Sequence, residues 1–489
     1  MDERPEDRLE VRVGPRETPR YRTVDELVVS APVLGTPDMT VAAAARLMGG
    51  CGYVAVPDGP GRFGLVTDRV LRERVLAAGL PGDTPIGAVM ARDVRTVPTG
   101  TPTATVLEEL VQYRLDQLLV VDPAGNLRGA VDPQDFLAAP SGAGVVLARQ
   151  VERAETLGQV AALGERLPRL LADLVRQRRD PSETTAVYAT ALDAVQRRVL
   201  ALVLEAHPRL SAEEFTWMVL GSNARREPTL GSDIDSAVVF ADSVPQARRA
   251  AYREAFGEVA DALRAAGLRV DGHGATPTNP RFARSRAEWR AAARQWLRSP
   301  LDDQGMLMAS LLLDGRSVHG RTEPVVHEVF ADVRDHPATL RFLIRESLTA
   351  KARLVSVRDV LAGRGGTFDL KAHALRPVVE IARWAALSVR SPELSTRARL
   401  AAASGTMLLP AEQADVLVEV FDVLQHTRLR VQLAQWDKGE PVSDVVRMRR
   451  LPPLDRSRIA QSVREIGTVQ TRLANLLQYT PAEEWAASP

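Results

Sequence analysis

Apolar and polar positions near the start of the chain follow a pattern that occurs twice. The segment GTPDMTV at 35–41 returns as GTPTATV at 100–106, and the register then holds without a gap at a shift of 65 residues. Each copy predicts an amphipathic helix, a short apolar strand, a hairpin rich in Gly, Pro and Asp, and a second strand that leads into a helix. Because neither half could bury its apolar face alone, we expect the copies to pack as a pair with approximate twofold symmetry.

In the rest of the chain the spacing of apolar residues changes twice. Residues 146–206 have an almost unbroken helical pattern, interrupted around RRDPSE, that predicts two long helices whose apolar faces are core or, less favoured, a subunit interface. Residues 212–321 alternate apolar strands with helices, and residues 324–480 return to amphipathic helices without a strand signal. The predicted fold class is therefore α/β plus α.

Composition places this pattern in a soluble globular protein of several domains. At 489 residues the chain exceeds one ordinary core, and about three domains are expected at ~150 residues each. The 63 basic and 62 acidic side chains leave a net charge of +1, which does not imply a surface for nucleic acid. The single Cys51 excludes an intramolecular disulfide framework, and no Cys/His cluster has the spacing of structural zinc. No stretch approaches the ~20 apolar residues of a membrane helix, so we expect a cytoplasmic protein that binds neither nucleic acid nor membrane, with a disordered tail over residues 1–21.

The repeated unit resembles the CBS domain, a βαββα module whose tandem pairs bind adenine nucleotides in many families. The resemblance covers residues 22–139. CBS units typically end in a strand followed by Gly-h-h-Thr/Ser-x-x-Asp, in which the hydroxyl meets phosphate and the carboxylate meets ribose. The two copies here, GLVTDRV and GAVDPQD, each keep one of these groups, Thr67 in the first copy and Asp135 in the second.

Both CBS motifs are therefore half degenerate. Val70 stands where the carboxylate of the first copy is expected, and Asp132 occupies the hydroxyl position of the second, where its charge would repel a phosphate. The resemblance implies Thr67 and Asp135 as residues that bind an adenine nucleotide. A nucleotide-sensing pair and a purely structural dimerisation module both stay open, and we expect a homodimer.

The segment TWMVLGSNARREPTLGSDIDSAVVF, residues 216–240, contains the candidate chemistry. An apolar strand ends in Gly221-Ser222, and after ten intervening residues a second begins with Asp233-Ile234-Asp235. Residues i and i+2 of a strand face the same way, so the two carboxylates lie side by side while Ile234 points into the core. The pair would repel unless a cation lay between them, and hard oxygen ligands suit Mg²⁺. Asp233 and Asp235 are therefore predicted metal ligands and catalytic residues.

The Gly221-Ser222 bend supplies the predicted phosphate-binding half of this site. Glycine lets the backbone approach a phosphate closely, and the Ser222 hydroxyl and the amides of the turn can donate to phosphate oxygens. A phosphate cradle opposite two carboxylates predicts metal-assisted phosphoryl or nucleotidyl transfer. Arg225 is expected to neutralise a nucleoside triphosphate, UTP or ATP, and Ser232 is placed with the nucleotide-binding residues. Arg226 is expected to be a solvated charge.

This segment resembles the signature of polymerase-β-type nucleotidyltransferases. It is most similar to the Gly-Ser-x-x-Arg-x-Glu-x-Thr…Asp-x-Asp variant of a bacterial nucleotidyltransferase family, which commonly carries a CBS pair and is similar to the N-terminal part of PII-protein uridylyltransferases. The matching positions are Gly221, Ser222, Arg225, Glu227, Thr229, Asp233 and Asp235. Glu227 is expected to hold the loop by pairing with Arg225 or a backbone amide, as an alternative to a functional role.

The C-terminal region extends this resemblance. Residues 369–389, 395–400 and the predicted strand 311–320 resemble further parts of the same family, including its helical substrate-binding domain, at Asp314, Arg316, Asp369, Lys371, Arg383, Thr396 and Arg399. The implied order is a CBS-domain pair at 22–139, a helical linker at 145–210, a nucleotidyltransferase α/β domain at 211–321 and a helical substrate-binding domain at 322–482.

Polymerase-β-type sites normally use a third carboxylate as ligand and general base. Asp271, which ends a short predicted strand in LRVDGHG, stands at the correct point in the order and is the third predicted catalytic residue. The alternative is an ordinary Asp-Gly turn residue. His273 is expected to be merely solvated.

Two functions stay open. In the first, a CBS-regulated nucleotidyltransferase moves a nucleoside monophosphate from UTP or ATP to a hydroxyl acceptor, for which the resemblance implies a signalling protein that is uridylylated or adenylylated. In the second, an inactive transferase fold senses nucleotides and acts by binding a partner. The intact pair Asp233 and Asp235 favours the first, and the half-degenerate CBS motifs favour the second.

Overall fold

The computed structural model describes residues 23–27, 32–49, 52–59, 62–92, 94–113, 115–133, 135, 142–177, 179–320, 325–354 and 366–480. The predicted tail, Cys51 and the two predicted ends of the CBS pair lie outside these residues. The chain divides into two compact units, Met1–Gly142 and Ala143–Pro489.

The first unit contains the two predicted copies. Its helices are α1 (Val41–Leu47), α2 (Asp68–Leu71, continued by the π-helical turn Arg72–Leu76), α3 (Ile86–Val89) and α4 (Thr103–Gln112). Its strands are β1 (Tyr53–Pro57), β2 (Phe63–Thr67), β3 (Thr96–Pro98), β4 (Leu118–Val121) and β5 (Leu127–Val131). Strand β4 begins 65 residues after β1, so the structure keeps the register of the repeat.

Strand pairing is also similar in the two copies. Strands β1 and β2 are antiparallel, as are β4 and β5, and β3 runs parallel to β4. A parallel bridge between Leu34 and Ala55 is the counterpart of the β3–β4 pair in the first copy. Tyr53 and Leu65 from the first copy pack in one apolar cluster with Leu119 from the second. The expected packing of the two copies against each other is therefore present.

The second unit begins with four helices. They are α5 (Gly142–Glu152), α6 (Leu157–Gly164), α7 (Leu167–Arg176) and α8 (Pro181–Glu205). The prediction of two long helices is wrong because start signals lie inside the periodic stretch: Thr156 caps α6 by accepting the Gln159 amide at 3.2 Å, and Pro168 stands in the first turn of α7. Helix α8 is buried along most of its length, which agrees with its expected role in the core.

A four-stranded sheet follows α8. Its elements are β6 (Phe215–Leu220), α9 (Gly221–Ala224), β7 (Ser236–Phe240), α10 (Gln246–Ala265), β8 (Ala283–Ser285), α11 (Arg286–Arg298), α12 (Gly305–Leu312) and β9 (Gly315–His319). The strand order is β8-β7-β6-β9, with β6 antiparallel to both of its neighbours and β8 parallel to β7. The strand predicted over 311–320 is only partly correct, because α12 covers its first two residues.

The remaining elements are mostly helical. They are α13 (Val325–Phe330), α14 (Pro337–Ser347), β10 (Thr367–Asp369), the π-helical turn Lys371–Leu375, α15 (Arg376–Ser388), α16 (Thr396–Ala402), α17 (Ala411–Trp436), β11 (Val445–Arg447) and α18 (Pro453–Tyr479). Strands β10 and β11 pair antiparallel, so the prediction of a region without strands is wrong. Each has three residues, too few to show an alternating pattern. One apolar core runs from Met218 to Leu477 and joins the sheet to these helices.

Candidate functional site

Strand β6 ends in a tight turn that begins α9. Gly221 has φ +59°, a left-handed conformation that glycine adopts without steric cost. A Cβ atom at this position would lie 3.2 Å from Oδ2 of Asp235. The missing side chain therefore lets the Asp235 carboxylate lie directly against the turn.

Asp233 and Asp235 lie on the segment that leads into β7. Both are partly exposed, whereas Ile234 between them is 2% exposed, which is the predicted alternation. The Leu220 amide donates to the Asp235 carbonyl at 2.9 Å, and the side-chain amide of Asn223 donates to the Asp233 carbonyl at 2.8 Å. The turn at the end of β6 thus holds the backbone of both aspartates.

Asp271, which follows α10 in the chain, lies beside this segment. Ile234 donates its amide to the Arg269 carbonyl at 2.6 Å and accepts the Asp271 amide at 3.2 Å, so the predicted short strand is an isolated bridge. Asp271 is buried, and its Oδ2 accepts the amides of His273 at 2.9 Å and Ala275 at 2.7 Å. The residue therefore organises a turn while its carboxylate adds to the charge near Asp235.

The electrostatics of these carboxylates fit a divalent cation. Burial and then the carboxylates of Asp271 and Asp233 raise the pKa of Asp235 to about 7, although Lys371 and Arg225 lower it. A hard cation such as Mg²⁺ would remove this repulsion, and it completes its coordination with water and phosphate oxygens. Within the described residues, no group of three or more His, Cys, Asp or Glu side chains is arranged to hold a metal by itself.

Asp233 has a cationic partner that the sequence analysis missed. Arg269 donates its Nε to Oδ1 of Asp233 at 2.9 Å, with 55% of the arginine side chain and 36% of the aspartate side chain exposed. Arg269 stands two residues before Asp271 on an extended segment, so the two side chains face the same way. This i, i+2 spacing was the signal in the sequence that Arg269 lies near the carboxylates.

Arg225 lies in a buried ion-pair cluster. Its Nε donates to Oε2 of Glu227 at 2.8 Å, and its Nη1 donates to Oδ2 of Asp314. Burial lowers the pKa of the guanidinium, but the two carboxylates raise it by more, so the net shift is upward. A triphosphate would have to share this guanidinium with Glu227 and Asp314.

Asp314, between α12 and β9, is the centre of that cluster and is 1% exposed. Besides Arg225 it accepts Nε and Nη2 of Arg383 at 3.0 and 2.6 Å, and Nη1 of Arg399 at 2.5 Å. Burial raises the pKa of the Asp314 carboxyl, but the three arginines hold it well below its usual range. Because Arg383 and Arg399 belong to α15 and α16, the cluster joins the sheet to the C-terminal helices.

Glu227 holds the loop, the structural role expected for it. In addition to its contact with Arg225, its Oε1 accepts the Thr396 amide at 2.7 Å, and its carbonyl accepts Nε2 of Gln425 at 3.2 Å. Both partners belong to the C-terminal helices, so Glu227 adds a second connection between them and the sheet.

The expectation of a solvated Arg226 is wrong. Its side chain is 13% exposed, and its guanidinium lies 3.9 Å from Asp193 on α8. Its Nη1 donates to Oγ1 of Thr190 at 3.4 Å. These partners come from a helix more than 30 residues earlier, which a local pattern does not reveal.

The two serines predicted to bind nucleotide flank the loop between β6 and Asp233. Ser222 is partly exposed, and its carbonyl accepts the Glu227 amide at 2.8 Å. Ser232 accepts the Thr229 amide on its Oγ at 2.9 Å and so closes the turn before Asp233. Their roles toward a nucleotide stay predictions.

Thr67 and Asp135 of the first unit both accept a backbone amide from a residue three positions away. Oγ1 of Thr67 accepts the Val70 amide at 3.3 Å at the start of α2. Asp135 and Asp132 form a reciprocal pair, in which Oδ2 of Asp135 accepts the Asp132 amide at 2.7 Å and Oδ1 of Asp132 accepts the Asp135 amide at 3.2 Å. Burial raises the pKa of Asp135. The Asp132 carboxylate thus accepts a backbone amide at the position where the motif has a hydroxyl.

Three family models match this chain. Residues 86–142 match the CBS domain, residues 165–303 match a family described as "Putative nucleotidyltransferase DUF294", and residues 337–476 match its "Putative nucleotidyltransferase substrate binding domain". The chain thus combines a CBS domain with a nucleotidyltransferase-like domain and the C-terminal domain that accompanies it. No curated protein matches the chain.

Two solved structures are similar to about a quarter of the chain. An uncharacterised conserved protein from Pyrococcus horikoshii is 26% identical over 24% of this chain and 92% of that one, with a TM-score of 0.23. A CBS domain protein from Pyrobaculum aerophilum, solved in complex with AMP, is 21% identical over 25% of this chain and 95% of that one, with a TM-score of 0.23. Among the described helices, none is both long and apolar enough to cross a bilayer.

Proposed function

We propose that this protein is a nucleotidyltransferase that moves a nucleoside monophosphate from UTP or ATP to a hydroxyl group of an acceptor. The observation that carries the proposal is the approach of the Asp235 carboxylate to the Gly221 turn, with Asp233 two residues before it. Carboxylates that can hold a metal ion, beside a backbone turn that can bind phosphate, suit metal-assisted phosphoryl chemistry. The match of residues 165–303 to a nucleotidyltransferase family supports the same reading.

Asp233 and Asp235 would hold Mg²⁺, which when bound would offset their charge and that of the nucleotide phosphates. The Ser222 hydroxyl and the backbone amides of the turn donate to phosphate oxygens. Arg225 would attract the phosphates at a distance through its positive charge. Its cluster contains three guanidinium groups and only two carboxylates, those of Asp314 and Glu227. This positive balance favours a polyphosphate beside the turn.

Asp271 is the residue proposed to accept the proton of the attacking hydroxyl. Its Oδ2 is held by two backbone amides, so the other carboxylate oxygen is the one proposed to take the proton. The hydroxyl attacks the α-phosphorus, and pyrophosphate leaves. We propose that the hydroxyl belongs to a signalling protein that contacts the C-terminal helices, whose matching family is described as substrate binding.

The experiment measures pyrophosphate release and label transfer from α-labelled UTP and ATP, with a cell extract as the source of acceptor. We expect transfer by the full chain and its loss in Asp233→Ala/Asp235→Ala. Asp261→Ala is the matched control, because Asp261 is an exposed partner of Arg264 on α10. Equal signals from the wild type and the double variant would contradict catalysis and favour the nucleotide-sensing regulator.

We further propose that the CBS pair binds an adenine nucleotide and biases the reaction, and that the chain is a homodimer. Thr67 ends β2 and Asp135 follows β5, the positions at which the CBS motif has its hydroxyl and its carboxylate. Calorimetry with AMP and ATP in EDTA, on wild type and on Thr67→Ala/Asp135→Ala, tests the ligand. If neither nucleotide binds, the CBS pair is a structural module. Light scattering measures the oligomeric state.

A further inference from the structure

A cavity of about 650 Å³ opens among the C-terminal elements of the second unit. Its walls are the end of α17, strand β11 and the start of α18. Small-molecule sites typically have volumes of roughly 300–1,000 Å³. The cavity therefore has the size of a site for an organic molecule.

The cavity combines apolar walls with an excess of positive charge. Val431, Val446 and Leu451 contribute apolar surface. Four cationic side chains line it against two acidic ones, an excess of two positive charges: Arg430, Lys438, Arg447 and Arg450 against Glu440 and Asp455. Its charge therefore favours an anion, and its walls favour an organic body.

Two of the four cations are already paired. Nη1 of Arg430 lies 3.3 Å from Oδ2 of Asp455, which is 6% exposed, and Nη1 of Arg450 lies 3.1 Å from Oε2 of Glu440. These pairs use both acidic groups of the lining. The other two cations can therefore bind a ligand without first losing a carboxylate partner.

The other two cations are Lys438 and Arg447. Neither the ammonium group nor the guanidinium has a hydrogen-bond or ion-pair partner within the described part of the chain. Gln435, near the end of α17, also lines the cavity and accepts the Ser443 amide on its Oε1 at 2.8 Å, which leaves its NH₂ group as a donor. Two cations and an amide donor thus face one cavity.

This cavity is separate from the carboxylates of the proposed transfer site. Helix α17 connects the two regions. Gln435 on the cavity wall lies about one helical turn after Gln432, and Oε1 of Gln432 accepts the Gly231 amide at 3.2 Å in the turn before Asp233. None of the residues that line the cavity belongs to the Gly221 turn or to the three aspartates.

We infer that the cavity is a second ligand site, which binds a small phosphomonoester through Lys438 and Arg447. A phosphomonoester carries about −1.5 to −2 charges at pH 7 and offers three acceptor oxygens, which matches two cations and an amide donor. Its organic part contacts the apolar wall. A neutral molecule would leave both cations without a counter-charge, so the phosphate is the group that selects the ligand.

Calorimetry on the full chain in EDTA tests the site with three probes: UMP, ribose 5-phosphate and phenyl phosphate. We expect each to bind, and uridine and ribose to bind at least about tenfold more weakly. Lys438→Ala/Arg447→Ala should lose at least about tenfold in affinity, because charge-assisted contacts are removed. Arg449→Ala is the matched control, since Arg449 is exposed two residues after Arg447 and does not line the cavity.

Hydrogen exchange gives a second measurement on the same samples. We expect slower exchange in residues 427–438 and 445–455 when a probe is bound. Absence of binding by all three probes, or undiminished binding to Lys438→Ala/Arg447→Ala, overturns the inference. Asp233→Ala/Asp235→Ala should bind the probes like the wild type, so failure of the transferase proposal and failure of this one give different results.

Discussion

Arg269 donates its Nε to Oδ1 of Asp233 at 2.9 Å, so one of the two predicted metal ligands is already paired with an arginine. The pair is partly exposed, and its geometry is supported by the backbone bond between Ile234 and the Arg269 carbonyl. A divalent cation at Asp233 would compete with this guanidinium for the negative charge of the same carboxylate.

We therefore expect Arg269→Ala to bind Mn²⁺ more tightly than the wild type. Exposed ion pairs contribute about 0.2–1 kcal/mol, which corresponds to a gain of roughly 1.5- to 5-fold. Calorimetric titration with Mn²⁺ measures it. Arg264→Ala removes another exposed arginine paired with an aspartate, at 2.7 Å, and should leave the affinity unchanged. Equal affinities of wild type and Arg269→Ala would contradict the competition.

Gly221→Ala should reduce both stability and Mn²⁺ affinity. The positive φ of +59° costs a residue with a Cβ about 1–2 kcal/mol, and the new methyl group would lie 3.2 Å from the Asp235 carboxylate. Gly267→Ala separates the two effects, since Gly267 has φ +80° but nothing within 4 Å of its Cβ position. Urea unfolding should show losses in both variants, whereas weaker Mn²⁺ binding is expected only in Gly221→Ala. A matching loss of affinity in Gly267→Ala would refute the steric argument.

Asp314→Asn should destabilise the second unit strongly. The change removes the negative charge that compensates three buried arginines, and breaking a buried ion pair costs about 3–5 kcal/mol. The free energy of unfolding from denaturant titration measures the loss. Asp335→Asn is the control, because its side chain is 69% exposed and lies 3.6 Å from Arg390, so a change within about 0.5 kcal/mol is expected. Similar small losses for both variants would mean that the arginines find other partners.

His327 on α13 predicts a pH dependence of stability. Burial and then Arg399 lower the pKa of His327 from 6.5 to about 4. The unfolded chain therefore binds more protons between these values, and the free energy of unfolding falls as the pH decreases from 6.5 toward 4. The difference reaches about 3 kcal/mol for this group alone. Below pH 4 the contribution no longer changes.

His327→Leu should remove this part of the pH dependence. Denaturant titrations of both proteins at intervals from pH 7 to pH 4 give the two curves, and their difference isolates His327 from other titrating groups. We expect the curve of the variant to fall less steeply in that range. Parallel curves would show that His327 is as easily protonated in the folded protein as in the unfolded chain.

Local periodicity was sufficient for much of this architecture. The shift of 65 residues predicted two similar copies, and the pattern around Gly221, Asp233 and Asp235 predicted a strand, a turn and two outward carboxylates. These features depend on residues that are close in the chain, so sequence spacing determines them. Periodicity does not reveal the three-residue strands β10 and β11, which are too short to alternate, or the helix starts at Thr156 and Pro168, which lie inside a longer periodic stretch.

The sequence by itself determined which residue types are present at the site and how neighbours alternate along each strand. Only the tertiary structure decided their partners: Arg269 on Asp233, Asp193 beside Arg226, and three arginines from distant segments around Asp314. An arginine can pair with any carboxylate that it reaches, and local spacing does not distinguish among them. Packing of the sheet against the helices places specific charges within a few ångströms of each other, and burial then makes those pairings costly to break.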